Sequence, residues 1–158
     1  MTVKTQESPS QQVLALLDLL AEQRELYREL KNLSGQQARC IREGSTERLL
    51  ALLSQRQSVI DGLSRSNTRV APYRERWPAI SEVVAPSHRR RVREVLDEIE
   101  RMLNEVVEQD ERDRAELKGV QSQIGTQLNQ VGKAGQAVRA YSSPSSGTNI
   151  PTFTDRQG

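Results

Sequence analysis

The chain has 158 residues and a formal net charge of +2, and 28% of its residues are charged whereas 3% are aromatic. So few aromatic residues argue against a thick globular core, and the abundance of Leu, Arg, Glu, Gln and Ala is typical of long helices and coiled coils. Acidic and basic residues are interspersed, which argues against nucleic acid as the main partner.

The chain begins with a polar stretch, residues 1–9, which predicts a disordered N-terminus without the apolar core of a secretory signal. No apolar run approaches membrane-spanning length, and the single cysteine, Cys40, allows no intramolecular disulfide. These absences predict a soluble cytoplasmic protein without membrane insertion.

After the N-terminal stretch, apolar residues recur every three or four positions, which predicts a first helix over about 10–43, capped by Ser8 or Ser10.

A tight turn at Gly44 and Ser45 separates the first helix from a second one, predicted over about 46–66. Glycine accepts the left-handed conformation that ends a helix, and Ser45 is the expected cap of the next one. A connection this short places the two helices side by side as an antiparallel αα-hairpin. Polar residues such as Gln37 and Arg56 interrupt the apolar faces, as in coiled coils whose polar layers fix the register.

Residues 68–86 include Pro72, Pro78 and Pro86, which predict a proline-rich elbow because proline interrupts helical hydrogen bonding. The elbow holds Trp77, the only tryptophan of the chain. Trp77 has two interpretations, a hot spot for partner binding and an apolar plug at the end of a helical bundle. The plug is the more common role for such a residue.

A long third helix is predicted over about 87–140. Its apolar stripe is interrupted by Asp110 and Asp113, where we expect either a polar layer that meets Arg or Gln from the hairpin or a seam open to water. The stripe then resumes in a segment whose glycines each weaken an isolated helix by about 1 kcal/mol. At roughly 1.5 Å per residue, this helix would extend well beyond the hairpin.

The predicted fold class is therefore all-α. The antiparallel hairpin and the long third helix form an elongated three-helix bundle or coiled coil, which makes residues 10–141 a single helical domain. Residues 142–158 are rich in Ser, Pro, Gly and Thr and predict a flexible, disordered C-terminal tail.

The part of the stripe beyond the hairpin is predicted to be uncovered and weakly helical, which is typical of a segment that orders on binding a partner helix. The predicted partner-binding residues are Leu117, Val120, Ile124, Leu128, Val131, Val138 and Tyr141. The same stripe would also pair with its copy in a second chain. A self-associating structural coiled coil or adaptor, with a homodimer as its simplest form, therefore stays open as the alternative.

The sequence offers little for catalysis. His88 and Cys40 are the only histidine and the only cysteine, and Cys40 falls on an apolar row where a buried thiol is the ordinary role. We therefore expect no enzyme, no cofactor and no metal site.

A basic run at 89–93 has two interpretations. It is either a contact for phosphate or lipid or a solvated helix start, and the second interpretation is favoured.

Several stretches share a pattern with one protein family. They are Leu16-Leu17 and Glu25-Leu26-Tyr27 in the first helix, Gly44-Ser45 in the turn, Leu49-Leu50 and Arg56-Gln57 in the second helix, Asp110-Glu111-Arg112-Asp113-Arg114 before Leu117 in the third, and Phe153-Thr154-Asp155-Arg156-Gln157-Gly158 at the end. This pattern resembles the FlgN family of flagellar type III export chaperones. Ser45 stands where that family usually has Asp, and the proline-rich elbow with Trp77 is longer than is typical of the family.

The resemblance implies a cytoplasmic export chaperone for hook–filament junction proteins. Such chaperones bind the C-terminal amphipathic helices of their clients, prevent premature assembly and deliver the clients to the export gate. The implied partners are these junction proteins and the flagellar export apparatus. The resemblance implies no enzymatic activity.

Overall fold

A computed structural model describes residues 7–117, 128–133 and 135–136 of the chain. It contains three long helices, α1 (Pro9–Glu43), α2 (Thr46–Val83) and α3 (Pro86–Glu116). The predicted all-α fold with three packed helices is confirmed. Residues 1–6 and the predicted tail at 142–158 lie outside the described residues. None of the described helices is both long and apolar enough to cross a membrane.

The ends of α1 follow the local sequence. Ser8 is the N-cap, and its hydroxyl accepts a hydrogen bond from the Gln11 backbone N–H at 3.2 Å while the Gln11 side chain accepts one from the Ser8 N–H at 2.9 Å. At the other end Gly44 adopts φ 70°, the left-handed conformation that closes the helix. Ser45 occupies the N-cap position of α2, but its side chain forms no cap hydrogen bond, so its predicted capping role is wrong.

Helix α1 packs along both other helices, whereas α2 and α3 approach each other much less closely. Arg24 forms an ion pair with Glu98 at 3.3 Å, and Lys31 forms one with Glu105 at 2.7 Å. These two pairs advance together along the chain, so α3 runs parallel to α1. The hairpin makes α2 antiparallel to both. Because α2 and α3 both pack on α1 but lie apart from each other, a shallow cleft runs between them on the side away from α1.

The core is a continuous column of side chains along α1. Val13, Leu16, Leu20 and Leu30 are fully buried on its inner face. Trp77 is 8% exposed and belongs to the same apolar cluster, near the end of the bundle where α1 and α3 begin. The interpretation of Trp77 as an apolar plug is therefore confirmed.

The predicted elbow at 68–86 is wrong, because α2 continues as a helix through Pro72 and Pro78 to Val83. Both prolines are exposed, so water reaches the side of the helix where a proline removes a backbone donor. The opposite face buries Val70, Trp77 and Ile80 against the core. Burial of these three apolar side chains, at about 1.5–3 kcal/mol each, offsets the roughly 3 kcal/mol that each of the two interior prolines costs.

The predicted end of the second helix near residue 66 is wrong for a related reason. The pattern becomes polar there because a half-buried Asn67 meets a buried glutamine of α1 at that level, and the helix continues. Gln23 of α1 is 1% exposed, and its side-chain amide donates a hydrogen bond to the side-chain oxygen Oδ1 of Asn67 at 2.7 Å. Polar residues matched across two helices preserve the packing that an apolar pair would provide.

A continuous third helix to residue 140 is also wrong, because α3 ends at Glu116 with Leu117 at its C-cap. The physical reason lies in the hairpin. Gln37 contacts Asp113, so Glu116 lies beside the last turn of α1, and a helix continuing in the same direction would have no hairpin to cover its apolar face. The chain is helical again at 128–133 and 135–136, where it contacts α2 and α3.

Candidate functional site

The predicted partner-binding stripe is only partly within the described residues. Val131 is 2% exposed and belongs to the core cluster, and Leu117 and Leu128 are half-buried against the same cluster. The other members of the stripe lie outside the described residues: Val120, Ile124, Val138 and Tyr141. The expectation that the stripe is uncovered is therefore wrong for Val131, which the bundle of the same chain covers, whereas Leu117 and Leu128 are only partly covered.

Residues 128–133 and 135–136 form a short helical piece that we call the docked segment. Its polar contact is to α2, where the Gln57 side-chain amide donates a hydrogen bond to the side-chain oxygen Oε1 of Gln130 at 3.0 Å. Its apolar contact is to α3, where Gly135 lies directly on the Leu103 side chain. The docked segment thus contacts both walls of the cleft between α2 and α3.

Gly135 allows the close approach between the docked segment and α3. A Cβ atom added at Gly135 would lie 2.9 Å from Leu103 Cδ2 and 3.6 Å from Leu103 Cγ, closer than carbon atoms normally pack. Leu103 is fully buried and has little freedom to move away. Gly132 differs, since a Cβ atom there would meet nothing within 4 Å.

Beside the docked segment, the bundle contains a polar layer formed by Gln37, Arg56, Asp110 and Asp113. Arg56 is fully buried. It donates one hydrogen bond to the side-chain oxygen Oε1 of Gln37 at 2.9 Å and another to Asp110 Oδ2 at 2.8 Å. The Gln37 amide then donates to Asp113 Oδ2 at 2.7 Å. The polar layer joins all three helices, which confirms the predicted contact between the aspartates and Arg or Gln of the hairpin.

The polar layer contains two carboxylates and one guanidinium, so its charges do not balance if both acids are ionised. Burial raises the pKa of Asp110 above its ordinary value; the charge and hydrogen bond of Arg56 oppose that rise, and the nearby Asp113 adds to it. Arg56 Nε and Asp110 Oδ1 have no hydrogen-bond partner within the described part of the chain. Such a layer determines how the helices align more than it stabilises them.

The residues considered for catalysis are not brought together. Cys40 is buried near the end of α1, and His88 lies in the first turn of α3. Because α1 and α3 run parallel, these two side chains lie at opposite ends of the bundle. Among the described residues, no group of three or more His, Cys, Asp or Glu side chains is arranged to hold a metal ion.

The basic run at the start of α3 is solvent-exposed, which agrees with the interpretation as a solvated helix start. Arg89 donates a hydrogen bond to the Ser81 carbonyl at 2.8 Å, and Arg91 forms an ion pair with Glu94 at 3.6 Å. Exposed pairs of this kind contribute little to stability.

Sequence reasoning missed three residues that hold the docked segment: Leu103, Gln57 and Gln130. It treated Gly135 only as a weak helix former. A signal was nevertheless present, since Gly135 follows Val131 by one helical turn and so falls on the apolar stripe itself. A glycine in that position indicates a close approach to another element.

Comparison with known protein families finds a match to the family described as FlgN protein over residues 12–147. The matched region contains nearly all of the three helices and every residue of the predicted stripe. No curated protein and no solved structure matches the chain.

Proposed function

Since this chain belongs to the FlgN family of flagellar export chaperones, we propose that its clients are hook–filament junction proteins and that it binds their C-terminal amphipathic helices. The observation that carries the proposal is the docked segment. The segment is short: Val131 and Leu128 pack on the core cluster, Gly135 contacts Leu103, and the polar attachment within the described residues is the Gln57–Gln130 hydrogen bond between uncharged side chains. A face of this kind is suited to exchange one helical partner for another.

The physical basis is the complementarity of two amphipathic helices. A client helix that is meant for assembly in the filament has an apolar face that must be covered before export. The stripe from Leu117 to Tyr141 offers apolar residues at helical spacing, and its glycines reduce its stability as an isolated helix. Ordering such a segment consumes part of the binding free energy, which keeps the complex reversible.

In this proposal the chaperone acts in the cytoplasm before export. It prevents premature assembly of the junction protein and delivers it to the export gate, where the export apparatus takes the client. The role requires only binding and release, so we assign no catalytic residue and no cofactor.

The experiment replaces Ile124 and Leu128 together by Asp and measures binding of a peptide with the C-terminal helix of a hook–filament junction protein by calorimetry. Loss of two apolar contacts of about 1.5–3 kcal/mol each predicts an affinity at least a hundredfold lower. Leu50→Asp is the matched control, because Leu50 is an apolar residue of α2 that is 48% exposed and outside the stripe. If the double variant binds the peptide as tightly as the Leu50→Asp variant, the stripe is not the binding site.

Self-association is the rival function, and it predicts a different oligomeric state in solution. Burial of Val131 within its own chain favours a monomer, because a residue that is already covered gains little from a second copy. Sedimentation at micromolar concentration distinguishes the two. A monomer agrees with the chaperone, whereas a stable dimer that the Leu128→Asp variant dissociates would support the coiled-coil adaptor.

A further inference from the structure

The docked segment is part of the stripe that the proposed function assigns to the client, and its apolar residues face the chain's own bundle in the free protein. Val131 and Gly135, one helical turn apart, are both buried there, whereas Gly132, Lys133 and Gln136 are exposed. One face of the docked segment is therefore buried against the bundle and the other is exposed to solvent. A client helix that seeks the apolar face finds it already occupied by α2 and α3.

The contact that occupies this face depends on a single missing side chain. Gly135 approaches Leu103 so closely that one added carbon would lie 2.9 Å from Leu103 Cδ2. Close backbone approach of this kind is the usual reason for a glycine on an apolar face. The glycine weakens the segment as an isolated helix and at the same time permits its docking.

Besides the apolar packing of Val131 and Leu128, the docked segment is attached by a hydrogen bond between two neutral side chains at the edge of the bundle. Gln57 is half-buried, and its amide donates to Gln130 at 3.0 Å and to Asp61 at 2.9 Å. A bond between neutral groups near water is readily replaced by bonds to water. The docked segment thus has no buried charge that would prevent it from leaving, in contrast to the polar layer beside it.

From these contacts we propose that the docked segment is an autoinhibitory contact: the free chaperone holds its own client-binding face against α2 and α3, and a client helix binds only after the segment leaves. This proposal rests on the proposed function and adds its regulation. The apparent affinity for the client then equals the intrinsic affinity multiplied by the fraction of molecules in which the segment is undocked. A change that loosens docking without altering the client-binding side chains therefore strengthens client binding, and a change that fixes docking weakens it.

A pair of glycine variants tests the first of these two consequences. Gly135→Ala and Gly132→Ala each replace glycine by alanine in the same helical piece and so raise helix propensity equally. Only Gly135→Ala places a carbon against Leu103, since the space at Gly132 is open. We expect Gly135→Ala to bind the client peptide about three- to tenfold more tightly than Gly132→Ala in calorimetry. Equal affinity, or weaker binding by Gly135→Ala, would overturn the proposal.

A cross-link tests the second consequence without altering the apolar face. Gln57→Cys and Gln130→Cys are introduced together in a Cys40→Ala background, which removes the only native thiol. A short bismaleimide then joins the two positions and fixes the segment in its docked position. We expect client affinity to fall at least about tenfold relative to the same protein with both thiols capped by N-ethylmaleimide. An unchanged affinity after complete cross-linking would contradict the proposal.

The client assignment and the autoinhibitory contact are contradicted by different results. If the peptide binds neither the unmodified protein nor Gly135→Ala, the proposed client assignment is wrong. If the peptide binds the unmodified protein but neither the glycine pair nor the cross-link changes its affinity, the client assignment stands and the autoinhibitory contact is wrong.

Discussion

Arg56 and Gln57 are neighbours on α2, and each connects that helix to a different part of the chain by a different kind of contact. Arg56 is fully buried and reaches Asp110 of α3 through the interior of the bundle. Gln57 is half-buried and reaches Gln130 of the docked segment along the outside. The first contact involves a buried charge, and the second involves two neutral amides near water.

The difference indicates which contacts are permanent and which are exchangeable. A buried charge that loses its partner is strongly destabilising, so the polar layer remains intact until the whole bundle unfolds. The docked segment is able to leave without exposing any charge, because its buried residues are Val131 and Gly135. A chaperone that binds and releases clients needs both properties, a fixed scaffold and a local element of low stability.

The largest effect on stability is expected from removing the Arg56 guanidinium from the polar layer. Arg56→Met leaves Asp110 buried without its guanidinium partner and removes the hydrogen bond to Gln37, and we expect the free energy of unfolding to fall by about 3–5 kcal/mol in urea titrations. Arg48→Met is the control, since Arg48 forms an exposed pair with Glu43 at 3.3 Å and its loss is expected to cost less than about 1 kcal/mol. Similar losses for the two variants would show that the polar layer does not hold the bundle.

A smaller and local effect is expected from Val131→Ala. Shortening this buried side chain weakens docking by about 1–2 kcal/mol, so the amides of the docked segment should exchange hydrogen roughly tenfold faster. The midpoint of global unfolding should stay unchanged, because the segment leaves before the bundle opens. Val106→Ala, in the core of α3 at 1% exposed, should instead lower that midpoint. A lower midpoint for Val131→Ala would mean that segment and bundle unfold as one unit.

The smallest effect is a pH dependence in the polar layer. Because the pKa of Asp110 is raised in the folded protein, the native state takes up this proton before the unfolded chain does. The stability of the unmodified protein relative to Asp110→Asn should therefore rise as pH falls from 7 toward the ordinary pKa of an aspartate. Urea midpoints of both proteins across that range give the difference. A difference that is constant with pH would show that Asp110 titrates normally.

Features that depend on local sequence were predictable. Ser8 and Gly44 mark the two ends of α1 because their side chains or conformations suit helix ends directly. The partners of Asp110 and Asp113 were also predictable as a class, since polar residues that interrupt three facing apolar stripes must meet one another when the helices pack. That reasoning needs only periodicity and the rule that buried polar groups are paired.

The errors arise where contacts between distant residues outweigh local preference. The prolines at 72 and 78 favour a break, but burial of Trp77 and Ile80 on the opposite face sustains the helix. The end of α3 at Glu116 depends on where the hairpin ends, which no local pattern records. The docked segment depends on contacts with distant residues, such as Gly135 with Leu103 and Gln130 with Gln57, so the stripe seemed uncovered when only its own spacing was considered.

The most direct test of the account measures the position of the docked segment while a client helix binds. Spin labels at Ser58→Cys on α2 and Lys133→Cys on the segment, both exposed positions, are placed in a Cys40→Ala background, and the distance between them is measured by pulsed electron paramagnetic resonance. The account predicts one short distance in the free chaperone and a longer one at saturating client peptide. A short distance that persists with the peptide bound would contradict it, because the client would then bind while the segment stays docked.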